Sequence, residues 1–172
     1  MIRKAEKKDI AAVAAIYEAI HTEEEQGKIT TGWIRGIYPT LQTAENAFGA
    51  GELYVLEEAG AILAAARING EQDPAYGKVD WAYPAEAEEV LVLHTLVVHP
   101  KAGGKGCGSR FVAFYEQLAA AQGCAVLRMD TNRKNQRARE MYARRGYREA
   151  GLVPCTFNGL EGIELICLEK KI

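Results

Sequence analysis

The sequence predicts an α/β (α+β) domain, a mixed and mostly antiparallel sheet of about six to seven strands flanked by helices. Three observations carry that expectation. Two apolar runs, "LYVLEE" and "AILAAARI", flank Ala59-Gly60, a pair suited to a tight hairpin turn. Val90 to Val98 is apolar on both alternating faces, as in a central strand buried on both sides. Beyond it, strand and helix patterns alternate, which makes a local parallel pair.

Taken in order, "IRKA" reads as a short first strand. Asp9 caps a helix through about Ile20, since Ile10, Val13, Ile16, Tyr17 and Ile20 fall at helical spacing. A polar connection, "HTEEEQGKIT", leads to a second helical region from Thr31 to Gly51, broken at Pro39. After the hairpin comes a long polar and aromatic loop from Asn69 to Glu89, and loops of that length are often functional. Ser109 to Ala121 reads as a helix, "CAVLRMD" as a buried strand, and Gln136 to Arg145 as a helix stopped by Gly146. "YREAGLV" and "IELICLEK" supply two late strands.

A chain of 172 residues suits one domain, 1–172. It can bury roughly 70% of its unfolded surface, so it needs neither disulfide nor metal to fold. A formal charge of −2 argues against general nucleic-acid binding. No two of the four cysteines stand at CxxC spacing, so they read as reduced, mostly buried thiols. The start, "MIRKAEKKDI", lacks the apolar core of a signal peptide, and the apolar run Ile10–Ile20 is too short to span a bilayer. A soluble cytoplasmic protein without a membrane partner is expected, and exposed sheet edges leave room for a homodimer.

The chemistry concentrates in "LHTLVVHPKAGGKGCGSRF", where a strand meets a nearly bare backbone and then a helix. Main-chain N–H groups at a helix start form an anion site, so a phosphate-bearing ligand is the first idea. A P-loop is excluded, because Gly106 follows Lys105 where Ser or Thr is needed. A dinucleotide fingerprint is a closer rival: Gly104 and Gly106 fit its first two glycines, and Asp130 stands where a ribose-binding acid would. Its third glycine is Ser109, and the early hairpins do not suit a doubly wound sheet.

"LVVHPKAGGKGCGSRFV", followed by "NQRAREMYARRGY", resembles the GNAT superfamily of acyl-CoA-dependent N-acetyltransferases. The first stretch is similar to its pyrophosphate motif, a strand ending in V-x-P and then [QR]-G-x-G-x-[GA]. The second is similar to its N-x-x-A-x-x-x-Y-x-x-x-G-[FY] helix, matched by Asn135, Ala138, Tyr142, Gly146 and Tyr147. Gly103 departs from the pattern, standing where the family usually has Gln or Arg.

The resemblance implies acetyl transfer from acetyl-CoA to a primary amine in a direct ternary complex, without a metal. The cofactor would meet Leu96, Val97 and Val98 of the strand. It would also meet the loop of Gly103, Gly104, Lys105, Gly106, Cys107, Gly108 and Ser109. Asn135 either caps its helix or contacts the cofactor. The basic run around it either meets the 3′-phosphate of CoA or forms a solvated face. Tyr142 stands where the family commonly carries its acid, a position that also suits a core aromatic. His94 is either the base that deprotonates the amine or a buried structural histidine. By period-two alternation it shares a face with Leu96 and Val98. Trp33, Tyr38, Tyr76, Trp81 and Tyr83, beside Glu23 to Glu25, are the candidate acceptor-binding residues for a small-molecule amine or a peptide. Two alternatives stay open: a non-catalytic acyl-CoA sensor of the same fold, and the dinucleotide enzyme.

Overall fold

The computed structural model describes residues 1–172. One seven-stranded sheet runs through the molecule in the order β1-β2-β3-β4-β5-β7-β6. Its strands are β1 (Ile2–Lys4), β2 (Leu53–Glu58), β3 (Ala61–Asn69), β4 (Val90–Val98), β5 (Val126–Asn132), β6 (Arg148–Phe157) and β7 (Leu160–Lys171). Every pairing is antiparallel except β4 with β5. Four helices cover the faces: α1 (Ile10–Glu25), α2 (Leu41–Gly49), α3 (Cys107–Gln122) and α4 (Gln136–Arg144).

Burial explains this layering. The α1 stripe of Val13, Ile16, Tyr17 and Ile20 packs on Val55, Ala65 and Val97 of one sheet face. On the other face, Phe111, Val112, Tyr115 and Ala119 of α3 meet Leu91, Leu93, Leu127 and Met129. Each Val, Leu, Ile, Phe or Met side chain among them, fully removed from water, contributes roughly 1.5–3 kcal/mol. Ala59 and Gly60 both take positive φ, 50° and 78°, which gives the β2–β3 hairpin the twist its strands need.

Some boundaries differ from expectation. α1 runs on to Glu25, and the Asp9 carboxylate serves Arg3 at 2.7 Å and the Glu6 amide at 2.8 Å instead of capping that helix. The expected helix from Thr31 begins only at Leu41. Before it, Gly32 and Gly36 take left-handed φ and the chain closes a turn through an Ile34–Tyr38 bridge. β6 and β7 are longer than their apolar cores, and Pro154 is tolerated because β6 is an edge strand.

Candidate active site

The parallel ladder between β4 and β5 stops at the pair Leu93–Met129, yet the strands continue to Val98 and Asn132. Beyond that pair they part, and a cavity of about 1090 Å³ opens between them. Side chains from both sheet faces line it, Leu96, Val98, Met141 and Tyr142 on one side and Tyr17, Ile20, His94 and Asp130 on the other.

A bulge aims the side chains of β4. Ala65 pairs with Val97 and Arg67 with His94, so β4 holds one extra residue in that interval. Thr95 takes φ 51°, an outlier for a β-branched residue, and its hydroxyl pairs with that of Tyr38. Leu91 and Leu93 face the α3 core before the bulge, and Leu96 and Val98 face it afterwards. His94 therefore lies on the face opposite Leu96 and Val98, against the alternation expected from sequence. The extra residue shifts the period by one.

The bare loop follows β4. The His99 ring accepts the Lys101 amide at 3.1 Å and starts a single 3₁₀ turn, Pro100–Ala102. Gly104 and Gly106 take φ 79° and 75°, a region L side chains avoid, so glycine is required there. Gly108 is bare for another reason: a Cβ would sit 2.9 Å from the Met141 sulfur, where α3 meets α4, and the thioether would have to move aside. Gly103, Gly104, Gly106, Cys107, Gly108 and Ser109 all line the cavity. Lys105 does not: it projects from the loop into solvent. The Cys107 thiol is packed into the core beneath the loop. Asn135 caps α4, its side-chain oxygen accepting the Ala138 amide at 3.2 Å, and also lines the cavity.

Tyr142, His94 and Asp130 are among the titratable groups that line this space. Tyr142 is 5% exposed, and burial, then the charge of Asp130, pushes its phenol up. His94 holds the Asn69 side-chain oxygen through Nε2 at 2.8 Å. Burial, then the Arg67 guanidinium, pushes it down to about 4. The Asp130 carboxyl at the end of β5 is pushed up to about 6 by burial, while the Tyr76 hydroxyl donates to it at 2.6 Å and pulls the other way. Asp130 is the residue sequence reasoning underused, having considered it only for a ribose. Its signal was an acid placed two residues from Arg128 in a strand that otherwise begins apolar.

Trp33 and Tyr38 line the cavity, their rings edge to face at 5.9 Å. Glu23 lines it too, whereas Glu24 holds the Thr31 and Gly32 amides at 2.7 and 3.0 Å, and Glu25 pairs with Arg35 at 2.8 Å. Tyr76, Trp81 and Tyr83, expected at the acceptor, do not line the cavity. They belong to a strap packed on the sheet. The Arg128 guanidinium lies 4.3 Å from the Trp81 ring and donates to the Tyr83 carbonyl at 3.1 Å. The buried Glu169 carboxylate accepts the Ala82 and Tyr83 amides at 2.8 and 3.2 Å.

Only one strand pair is parallel, so the sheet is not the doubly wound one that the dinucleotide reading needs. Residues 13–147 match the model of the Acetyltransferase (GNAT) family. A Bacillus subtilis (strain 168) protein named uncharacterized N-acetyltransferase YhfO is 24% identical over 148 residues, covering 86% of this chain and 89% of that one. A GNAT-family acetyltransferase from Streptococcus agalactiae 2603 superposes with a TM-score of 0.80 at 21% identity, over 100% of this chain and 95% of the other. The ribosomal-protein-alanine N-acetyltransferase of Brucella melitensis gives 0.71 at 20% identity, over 100% and 99%.

Proposed function

Because the chain belongs to the GNAT acetyltransferase family, we propose that it moves an acetyl group from acetyl-CoA to a primary amine by direct attack, with both substrates held in the cleft between β4 and β5. The observation that carries this reading is the pairing, in one cavity, of a bare main-chain loop with a carboxyl poised near neutrality.

The residues fit acetyl-CoA. Amides at Gly104, Gly106 and Gly108 suit phosphate oxygens, and the helix dipole of α3 adds to them. The edge of β4 freed beyond Leu93 suits the amides of the pantetheine arm, as in strand addition. When bound, acetyl-CoA supplies an activated thioester carbonyl.

The chain's residues then manage two protons. An alkylammonium cannot attack until it loses one. Asp130, ionised above about pH 6, attracts the cation and takes that proton. His94 suits this task less: its conjugate acid titrates near 4, so it is a weak acceptor and instead positions Asn69 and the β3 edge. Tyr142 keeps its proton across the physiological range and donates it to the departing thiolate. No acyl-enzyme is needed, and Cys107 is packed away from solvent.

The acceptor enters from the side of Trp33 and Tyr38. The Thr30 hydroxyl donates to the Lys134 carbonyl at 2.7 Å, so the α1–α2 connection reaches across to the far arm of the cleft. That roof favours a slender amine over a lysine on a flat protein surface. Incubation with acetyl-CoA and a panel of amines, amino acids and peptides, read by product mass, tests the reading. Acetyl-CoA binding without any acetylated product would replace the enzyme by a sensor.

A further inference from the structure

Gly103 differs from its neighbours in why it is glycine. Its φ and ψ, −58° and 140°, suit any residue. A side chain there is instead crowded for space. A Cβ there would lie 3.0 Å from the Pro100 carbonyl oxygen, and 3.3 and 3.6 Å from the two terminal nitrogens of Arg137. The guanidinium of α4 already occupies the place a side chain at 103 would fill.

Arg137 is also the odd arginine of its helix. Its neighbours are engaged: Arg133 with Glu164, Arg139 with Glu149, Arg144 with Glu140 and Arg145 with Glu116. The remaining arginines, Arg3, Arg35, Arg67, Arg110, Arg128 and Arg148, likewise donate to protein acceptors. Arg137 alone keeps its donors free, and it lines the cavity beside Gly103, Gly104 and Gly106. Its backbone is fixed by the Asn135 cap and by Ala138, which packs on the core behind it.

We propose that Arg137 is the side-chain clamp for the pyrophosphate of CoA, and that Gly103 is bare to admit it. A planar guanidinium offers two parallel donors to phosphate oxygens, which main-chain amides on the loop complement from the other side. The basic run of α4 thus divides by role: Arg139 ties the helix to β6 and Arg145 ties its end to α3, Arg144 pairs within the helix, and one free arginine holds the ligand. The inference rests on the acetyl-CoA reading above.

Calorimetric titration with CoA and with 3′-dephospho-CoA tests it, on wild type, Arg137→Ala, Gly103→Gln and the double variant. Arg137→Ala should weaken both ligands alike by about tenfold or more, the loss of charge-assisted hydrogen bonds. Gly103→Gln should weaken both by displacing Arg137, and the double variant should regain affinity over Arg137→Ala, because the amide enters the vacated room. Unchanged affinity in Arg137→Ala would overturn the proposal. So would a loss confined to CoA, which would move Arg137 to the 3′-phosphate. A double variant no tighter than Arg137→Ala would deny that the two side chains compete for one place. Wild type that binds neither ligand would remove the acetyl-CoA reading itself, a result distinct from all of these. Thermal melts of each variant confirm folding.

Discussion

Tyr76 donates its phenolic hydrogen to Asp130 at 2.6 Å, so a residue of the long loop governs the charge of an acid in the cleft. Burial raises that carboxyl to about 6 and the Tyr76 bond restrains the rise. The pair links the packing of the strap to the proposed proton transfer.

The first expectation concerns Asp130 itself. In wild type, kcat/KM should fall as pH drops through about 6, where the carboxylate takes up a proton. Asp130→Asn should lose about 10²–10⁴-fold in turnover while keeping its affinity for acetyl-CoA. Turnover within a few-fold of wild type would end the assignment. His94→Ala should leave this acid limb where it is.

Tyr76→Phe tests the positioning role. Without the hydrogen bond that favours the ionised form, the Asp130 carboxyl titrates higher, and the acid limb should move to higher pH. A profile identical to wild type would show that the hydroxyl does not influence the reacting acid.

Stability should respond in the opposite sense. Asp130 titrates near 6 in the folded chain against an ordinary 3.8, so the folded state holds its proton more tightly. The stabilisation from that proton is complete below about pH 4 and is lost as pH rises through about 6. Asp130→Asn still offers Tyr76 an oxygen and carries no charge. Its Tm should exceed wild type by a few degrees near neutral pH and match it near pH 4. An equal Tm at both would mean the ionised carboxylate is at no cost in its site.

Tyr142→Phe keeps the ring that meets Tyr147 edge to face at 6.0 Å and removes only the hydroxyl. The fold should be retained and the acetylation rate should fall by about 10²-fold. Rates within a few-fold of wild type would reduce Tyr142 to a packing residue.

Glu169→Ala strips the strap of its anchor. The Ala82 and Tyr83 amides lose their acceptor and Arg148 loses its partner at 2.6 Å. Each orphaned amide costs about 1–3 kcal/mol, while Arg148, 45% exposed, regains water. Hydrogen exchange at Ala82 and Tyr83 should accelerate relative to the β4–β5 core; unaltered protection there would mean other contacts hold the strap.

Local signals were legible in the sequence. The β2–β3 hairpin follows from two apolar runs around Ala59-Gly60 and the bounds of β4 from one continuous apolar run, properties of adjacent residues. The two motifs located the loop and α4 for the same reason. What escaped was non-local. Tyr76, Trp81 and Tyr83 announce aromatic surface, but not that their partners Arg128, Asp130 and Glu169 wait 45 to 86 residues away. The bulge escaped differently: Thr95 is a residue type that resists positive φ, so nothing in its identity warns of one. Arg137 looked like any other member of a basic run until its neighbours' partners were on view.

The parting of β4 from β5 makes a passage through the sheet, lined from both faces. A passage has two ends. On the proposed reading, amine and thioester would arrive from opposite directions, and neither product would have to wait behind the other to depart. Traffic of this kind needs no obligatory order of arrival. The enzyme can run at a rate set by its slower exit, and free CoA should compete with acetyl-CoA while leaving the amine's door open.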